Sequence, residues 1–329
     1  MTQQDFEKLL KDILKYYKKD VPSIPVRVLD VNTEKIAKIY YKTYKSILGY
    51  LVEQLRYNGD SFLNINIQTQ YKLMQQIETA FETMNVQVQE ELEDYVNKQY
   101  INGQLNHFIA TTGITDFDTI LKEFPLATIN FNKANQLISD TMEDLLFATD
   151  NTKKSLKKVI RETVSKHLQL NALTGESYDT IRRLIIKDLQ KQGLSKTISQ
   201  KGFVGVVDRG GKKWNLNNYA DMVVQTKTHQ AYIEGLKDHS IETGDDLAII
   251  PIKGAKDHCK NFEGMIISLT GATKGFATYD QLKATNLIFH PRCRHNVIPI
   301  RESVLTDEDK KIHNDKLKNL KKISNKIKK

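Results

Sequence analysis

The chain has 329 residues, 40% hydrophobic and 27% charged, which excludes a disordered or low-complexity protein and leaves room for about two domains of roughly 150 residues each. Its net charge of +9 is unevenly placed: residues 1–150 carry 15 basic and 21 acidic side chains, whereas 316–329 carry 7 lysines and no acid. A general polyanion-binding body is thereby excluded.

The predicted elements begin with helices. From Phe6, the apolar positions Leu9, Leu10, Ile13, Leu14 and Tyr17 keep helical spacing. The prolines in Val21-Pro22-Ser23-Ile24-Pro25 break that helix. A second helix is predicted after Asn32, with a stripe of Ile36, Ile39, Tyr40, Tyr44, Ile47, Leu48, Leu51 and Leu55, closed by Asn58-Gly59-Asp60. A long helix is predicted from Asn66 to Tyr100, with Met74, Ile77, Phe81, Met84, Val88, Leu92 and Val96 on one face, as in a bundle or short coiled coil. Shorter helices follow at about 117–124, 132–148, 152–170 and 177–192.

The pattern changes near residue 195. Residues 202–207 read as a strand, Asp208-Arg209-Gly210-Gly211 as a turn and Lys212-Lys213-Trp214 as a returning strand. A helix over 216–242 precedes short strands at 247–252, 265–269 and 296–300, with a helical turn at 279–284. After Thr306 the chain is again helical, with apolar residues among lysines. The expected class is α+β: a mainly helical region over 1–195, a small α+β domain over 196–304 and a lysine-rich tail over 305–329. No run approaches the ~18 apolar residues of a membrane span. The charged N-terminus does not resemble a signal peptide, so a soluble, non-secreted protein is expected.

Chemistry-bearing residues concentrate in the α+β part. Asp257-His258-Cys259 is followed by His290-Pro291-Arg292-Cys293-Arg294-His295. His258, Cys259, His290, Cys293 and His295 are soft donors of the kind that hold tetrahedral zinc. An extended Cys293–His295 segment would turn both side chains to one face. The spacing is not that of a standard zinc finger. The competing reading makes both cysteines small buried hydrophobes and lets the histidines cap turns. Two cysteines are too few for a disulfide scaffold and suit a reducing compartment. An enzyme would have to use the same residues, as a Cys–His nucleophile pair or a zinc-bound water. Yet HExxH, GxSxG, the P-loop and GxGxxG are all missing from the sequence. The reading is of a non-enzyme with no certain cofactor, zinc being the one the sequence raises.

In the tail, Lys316, Lys318, Lys321, Lys322, Lys326, Lys328 and Lys329 could contact phosphates without reading sequence. No aromatic is interleaved to stack bases. A solvated, frayed terminus is the equal alternative.

The C-terminal part resembles phage minor capsid and head morphogenesis proteins related to the Mu F-like family, over about residues 200–300. Three blocks carry the resemblance. The first is Arg209-Gly210-Gly211-Lys212-Lys213-Trp214 with Tyr219-Ala220 and Thr226. The second is Asp257-His258 with Phe262-Glu263-Gly264, and the third is His290-Pro291-Arg292-Cys293-Arg294-His295 with Pro299. Gln225 departs from the pattern, where the family often has arginine, and Cys259 is not part of it. The first 200 residues match only in being helical. The resemblance implies a structural, low-copy protein of the tailed-phage head, made in the bacterial cytoplasm and carried in the virion. Its implied partners are the portal and other capsid or scaffold proteins, with non-specific contact to double-stranded DNA and none to membrane. The alternatives are a zinc-dependent hydrolase or phage-delivered toxin, and a sequence-independent DNA-binding protein. Trp214, the His258 turn and the His290–His295 segment are expected to fold into one compact unit.

Overall fold

A computed structural model describes residues 2–17, 33–57, 67–126, 129–174, 177–189, 206–208, 210–214, 216–290, 293 and 295–327. Its elements are helices α1 (Gln3–Tyr17), α2 (Thr33–Tyr57), α3 (Ile67–Thr112), α4 (Phe117–Glu123), α5 (Asn132–Thr174) and α6 (Tyr178–Leu189), then strands β1 (Val206–Val207) and β2 (Lys213–Trp214). After these come α7 (Leu216–Thr243), β3 (Leu247–Ile249), β4 (Ile266–Ser268), α8 (Tyr279–Ala284), β5 (Ile298–Pro299) and α9 (Asp307–Ile327). The class is the expected α+β, mainly helical with a small antiparallel sheet near the C-terminus.

The chain groups into two compact units, each assembled from separate stretches. One holds Met1–Val31, Glu93–Ile138 and Val224–Lys329; the other holds Asn32–Leu92 and Ser139–Val223. Three of the four boundaries fall inside α3, α5 and α7. Trp214 lies in the second unit, whereas His258 and the His290–His295 segment lie in the first. The expectation that all three share one unit is therefore corrected: only the second and third sequence blocks do.

The second unit is a helical assembly. Ile36, Tyr40, Ile47 and Leu51 of α2, with Ile77, Phe81, Met84, Val88 and Leu92 of α3, are buried at helical spacing. Glu78 on α3 pairs with Lys153 at 2.7 Å and with Lys157, both on α5. Hydrogen bonds from these two ammonium groups hold the Glu78 carboxyl below its ordinary range. Helix α5 is continuous where two helices were predicted. Thr149, in the gap between the two, and Thr152, the first residue of the second, are buried, and the Thr152 hydroxyl donates to the Ala148 carbonyl at 2.7 Å. Bonding back into the preceding turn lets a polar residue sit inside a helix.

In the β1–β2 hairpin, Val206 pairs with Trp214 and Val207 with Lys213. Asp208 closes the turn by accepting the Trp214 indole N–H at 2.6 Å and the Lys212 amide at 2.9 Å. The Lys212 ammonium lies 3.9 Å from the Trp214 ring centroid. Trp214 and Tyr219, two residues of the resemblance, meet edge to face at 6.2 Å.

The first unit has two cores. Phe6, Leu10, Ile13 and Leu14 of α1 pack with Ile101, Leu105, Phe108 and Ile109 of α3 and with Ile120 and Phe124 around α4. This explains why α3 runs on to Thr112 rather than ending at Tyr100: residues 101–109 supply a second apolar stripe. Gly113, at φ 75°, ends the helix with its amide donating to the Ile109 carbonyl at 2.9 Å. The second core surrounds the antiparallel sheet of order β4-β3-β5. Ala248 stands opposite Ile267 on one side and Pro299 on the other; proline is tolerated because β5 is an edge strand. The buried Asp246 organises the loop after β4, accepting the Ser268 hydroxyl, the Thr270 amide (2.8 Å) and the Thr273 amide (2.9 Å). On the other edge, α9 covers β4, where the Ile266 amide donates to His313 Nδ1 at 3.1 Å. An edge strand is thus capped by a side chain. No helix among the described residues is long and apolar enough to cross a membrane.

Candidate metal centre

Cys259 sits in a single 3-10 turn, His258–Asn261. Asp257 caps that turn, its carboxylate accepting the Cys259 amide at 3.0 Å. The cap aims Cys259 inward, where it is buried against Phe262, Phe289 and Val297. His258, one position earlier, is exposed and stands outside the cluster described next. The second segment approaches through a turn in which the Cys293 amide donates to the His290 carbonyl at 2.8 Å. It follows Phe289, whose φ of 56° is sparsely allowed for a bulky residue. Packing holds that conformation: the Phe289 ring lies 4.4 Å from Tyr279.

Four predicted donors meet at the join. Cys259 Sγ lies 3.8 Å from Cys293 Sγ and 3.5 Å from His290 Nε2. Cys293 Sγ lies 3.6 Å from His295 Nδ1, so the two side chains meet as the sequence reading expected. Cys259, Cys293 and His295 form one group whose donor atoms all fall within 4.8 Å of one another, and Asp257, Cys259 and His290 form another. Cys259 is common to both.

The buried Glu263, named in the second block without a role, is the partner of His295. Its carboxylate accepts His295 Nε2–H at 2.9 Å, the Lys253 amide at 2.9 Å and the Ala255 amide at 3.0 Å. Burial alone would raise the Glu263 carboxyl, but these donors outweigh it and hold it below the usual range. His295 is raised, first by its bond to Cys293 and then by Glu263. Burial also opposes ionisation of Cys293, yet the His295 bond brings that thiol down to about 7. The neighbouring Cys259 is pushed up by burial and by Cys293. Gly264, at φ 79°, follows Glu263; a Cβ there would stand 2.7 Å from Ile312 of α9. This accounts physically for a glycine in the second block.

Two chemistries fit a thiol, an imidazole and a carboxylate in line. One is a nucleophile with its base and orienting acid. The other is a metal ligand set in which a carboxylate fixes the outward nitrogen of a ligating histidine. The second thiol 3.8 Å from Cys293 and the burial of both His295 and Glu263 favour the ligand set.

The remaining predicted positions are scattered. Tyr219 is buried, Thr226 half-buried and Asp257 exposed. Pro291 lies outside the described residues. In α9, the Lys316 ammonium donates to the Lys260 carbonyl at 2.8 Å, and Lys318 lies 3.8 Å from Asp315. The side chains of Lys321, Lys322 and Lys326, and all of Lys328 and Lys329, lie outside the described residues.

The model of one protein family, phage minor capsid protein 2, matches residues 26–329. The chain belongs to that family. The match extends well beyond residues 200–300 and takes in nearly all of the helical region, which local motifs did not reveal. Neither a curated protein nor a solved structure matches the chain. A minor capsid protein is a structural part of the phage head, associated with other head proteins in the virion, and the centre around Cys259 lies within the part that the family model covers.

Proposed function

We propose that this minor capsid protein is a non-catalytic component of the tailed-phage head that joins the portal vertex through its helical unit. The family match across residues 26–329 carries this reading. The surface of the second unit supports it. Tyr41, Tyr71, Val86, Leu146, Phe147 and Leu184 are large apolar side chains exposed on its helices, the side-chain type that a helix presents to a partner groove. The test is co-purification of the full chain with the portal protein of the same phage. Tyr71→Glu combined with Phe147→Glu should weaken capture by about tenfold or more, the scale set by one anchor side chain at an interface, with an unchanged melting transition. Undiminished capture by that variant, or virions and procapsids wholly lacking the protein, would remove the proposal.

We also propose weak, sequence-independent DNA contact through the C-terminal lysines from Lys316 onward. Because Leu317 packs against the sheet core and Lys316 caps a carbonyl, truncation after Asp315 would damage the fold as well as remove charge. The clean variant replaces Lys321, Lys322, Lys326, Lys328 and Lys329 with glutamine. Its affinity for duplex DNA should fall and its salt dependence flatten, by roughly 0.9 in log–log slope for each phosphate no longer neutralised. An unchanged slope assigns the tail no DNA role.

A further inference from the structure

We propose that Cys259, His290, Cys293 and His295 bind one zinc ion, which clamps the 3-10 turn at His258–Asn261 to the 290–295 segment of the minor capsid protein. The distances agree with tetrahedral zinc. Sulfur at ~2.3 Å and nitrogen at ~2.0 Å from a tetrahedral ion stand roughly 3.8 Å apart as an S···S pair and roughly 3.5 Å apart as an S···N pair. The observed separations are 3.8 Å for Cys259–Cys293, 3.6 Å for Cys293–His295 and 3.5 Å for Cys259–His290. Cys259, Cys293 and His295 already converge. His290 closes the set by swinging its imidazole from Cys259 toward the other two.

The surroundings fit an ion better than they fit its alternatives. Two thiolates neutralise a divalent cation, which removes the penalty of a buried charge. Glu263 takes the outward N–H of His295 and is itself fixed by two backbone amides, so the ligand's orientation and tautomer are set from behind. Asp257 is the rival fourth donor, but its carboxylate is already used in capping Cys259 and it is exposed. Four protein ligands leave no open position for a reacting water, so the ion holds structure and does no chemistry. It would join segments about thirty residues apart at the edge of the sheet core, where Phe289 keeps a left-handed backbone conformation.

The experiment uses the full chain without a polyhistidine tag, purified without chelator. Elemental analysis should find about one zinc per chain. Cobalt(II) substitution should give the visible bands of a tetrahedral site together with thiolate-to-cobalt charge transfer. Cys259→Ser, Cys293→Ser and His290→Ala should each lose that spectrum, while His258→Ala should retain it. Glu263→Gln should keep the stoichiometry but weaken affinity about 10–100-fold in chelator competition, as removal of an outer partner does. Folded wild-type protein with negligible metal, or a cobalt spectrum without charge transfer, overturns the proposal whatever the variants do. Metal lost in Asp257→Asn but kept in His290→Ala overturns the assigned fourth ligand.

Discussion

Gly235→Ala is expected to destabilise the first unit by about 3 kcal/mol, at the upper end of what overpacking costs. Helices α3 and α7 cross at Gly103 and Gly235, backbone against backbone. A Cβ on Gly235 would come closer than 3.0 Å to the Tyr100 carbonyl oxygen, and one on Gly103 closer than 3.0 Å to that of Tyr232. Neither obstacle is a flexible side-chain end that can step aside. The helices must part, and the crossing is surrounded by fully buried Tyr100, Tyr232 and Leu236. Gly49 is the control, because a Cβ at that exposed position in α2 meets nothing within 4 Å. Gly49→Ala should raise stability by about 0.5–1 kcal/mol, since alanine suits a helix interior better than glycine. Urea midpoints of the three proteins decide the matter, and a Gly235→Ala midpoint at or above wild type would sink the close-crossing argument. The loss should also reach the metal centre. Tyr232, Ile233 and Leu236 open the core that buries Cys259 and Phe289, so retention of the proposed zinc should fall in Gly235→Ala as well.

Local periodicity makes most of the helices legible. The stripe of Leu10, Ile13 and Leu14 is buried as the spacing demands, as is the Ile77–Leu92 stripe, although Leu73 rather than Met74 takes the first buried place. The i, i+2 relation of Cys293 and His295 is readable because it needs only an extended backbone. What stays hidden depends on partners far away in sequence. Gly103 looks like a helix breaker until Gly235, on another helix, shows that both provide space. The strands predicted over 212–214 and 296–300 are located but overextended, since β2 and β5 have two residues each, too few for alternation to mark their ends; residues 202–205 of the first predicted strand lie outside the described residues. Glu263 gives no signal as a histidine partner, because 32 residues separate it from His295. Trp214 shares a family pattern with the two His/Cys blocks yet joins a different unit. Order along a chain does not specify which elements pack together.

A second long-range pair, His107 with His239, predicts a marked acid sensitivity. Both imidazoles are buried, with Nδ1 atoms 2.9 Å apart, and His107 Nε2 lies 2.7 Å from the Asp245 carbonyl oxygen. A carbonyl can only accept, so the His107 proton is on Nε2 and its Nδ1 is an acceptor. His239 must then donate from Nδ1, and both rings are neutral. Protonating His107 at Nδ1 would set two N–H groups head to head. Burial lowers both pKa values, His239 to about 4 with His107 adding to the effect, while the Asp245 carbonyl and the Asp245 and Asp246 charges oppose the shift at His107. For a base with a depressed folded pKa, the unfolded chain binds more protons. Stability is therefore intact above about 6.5, the unfolded histidine value, and is lost as pH falls toward about 4, the folded value for His239. The slope approaches about 1.4 kcal/mol per pH unit for His239, which comes to roughly 1.6 kcal/mol between pH 6.5 and 5, and His107 adds in the same direction. His239→Phe keeps an aromatic ring beside Phe108 and Phe124 but removes one titrating group. It should be less stable than wild type at pH 7, because the His107 acceptor loses its donor, yet should lose less on going to pH 5. Cys293, brought down to about 7, and the raised His295 also respond to pH, so the deciding quantity is the difference between the two slopes, in which their contribution cancels. Equal slopes in urea unfolding would mean that the pair is not held neutral.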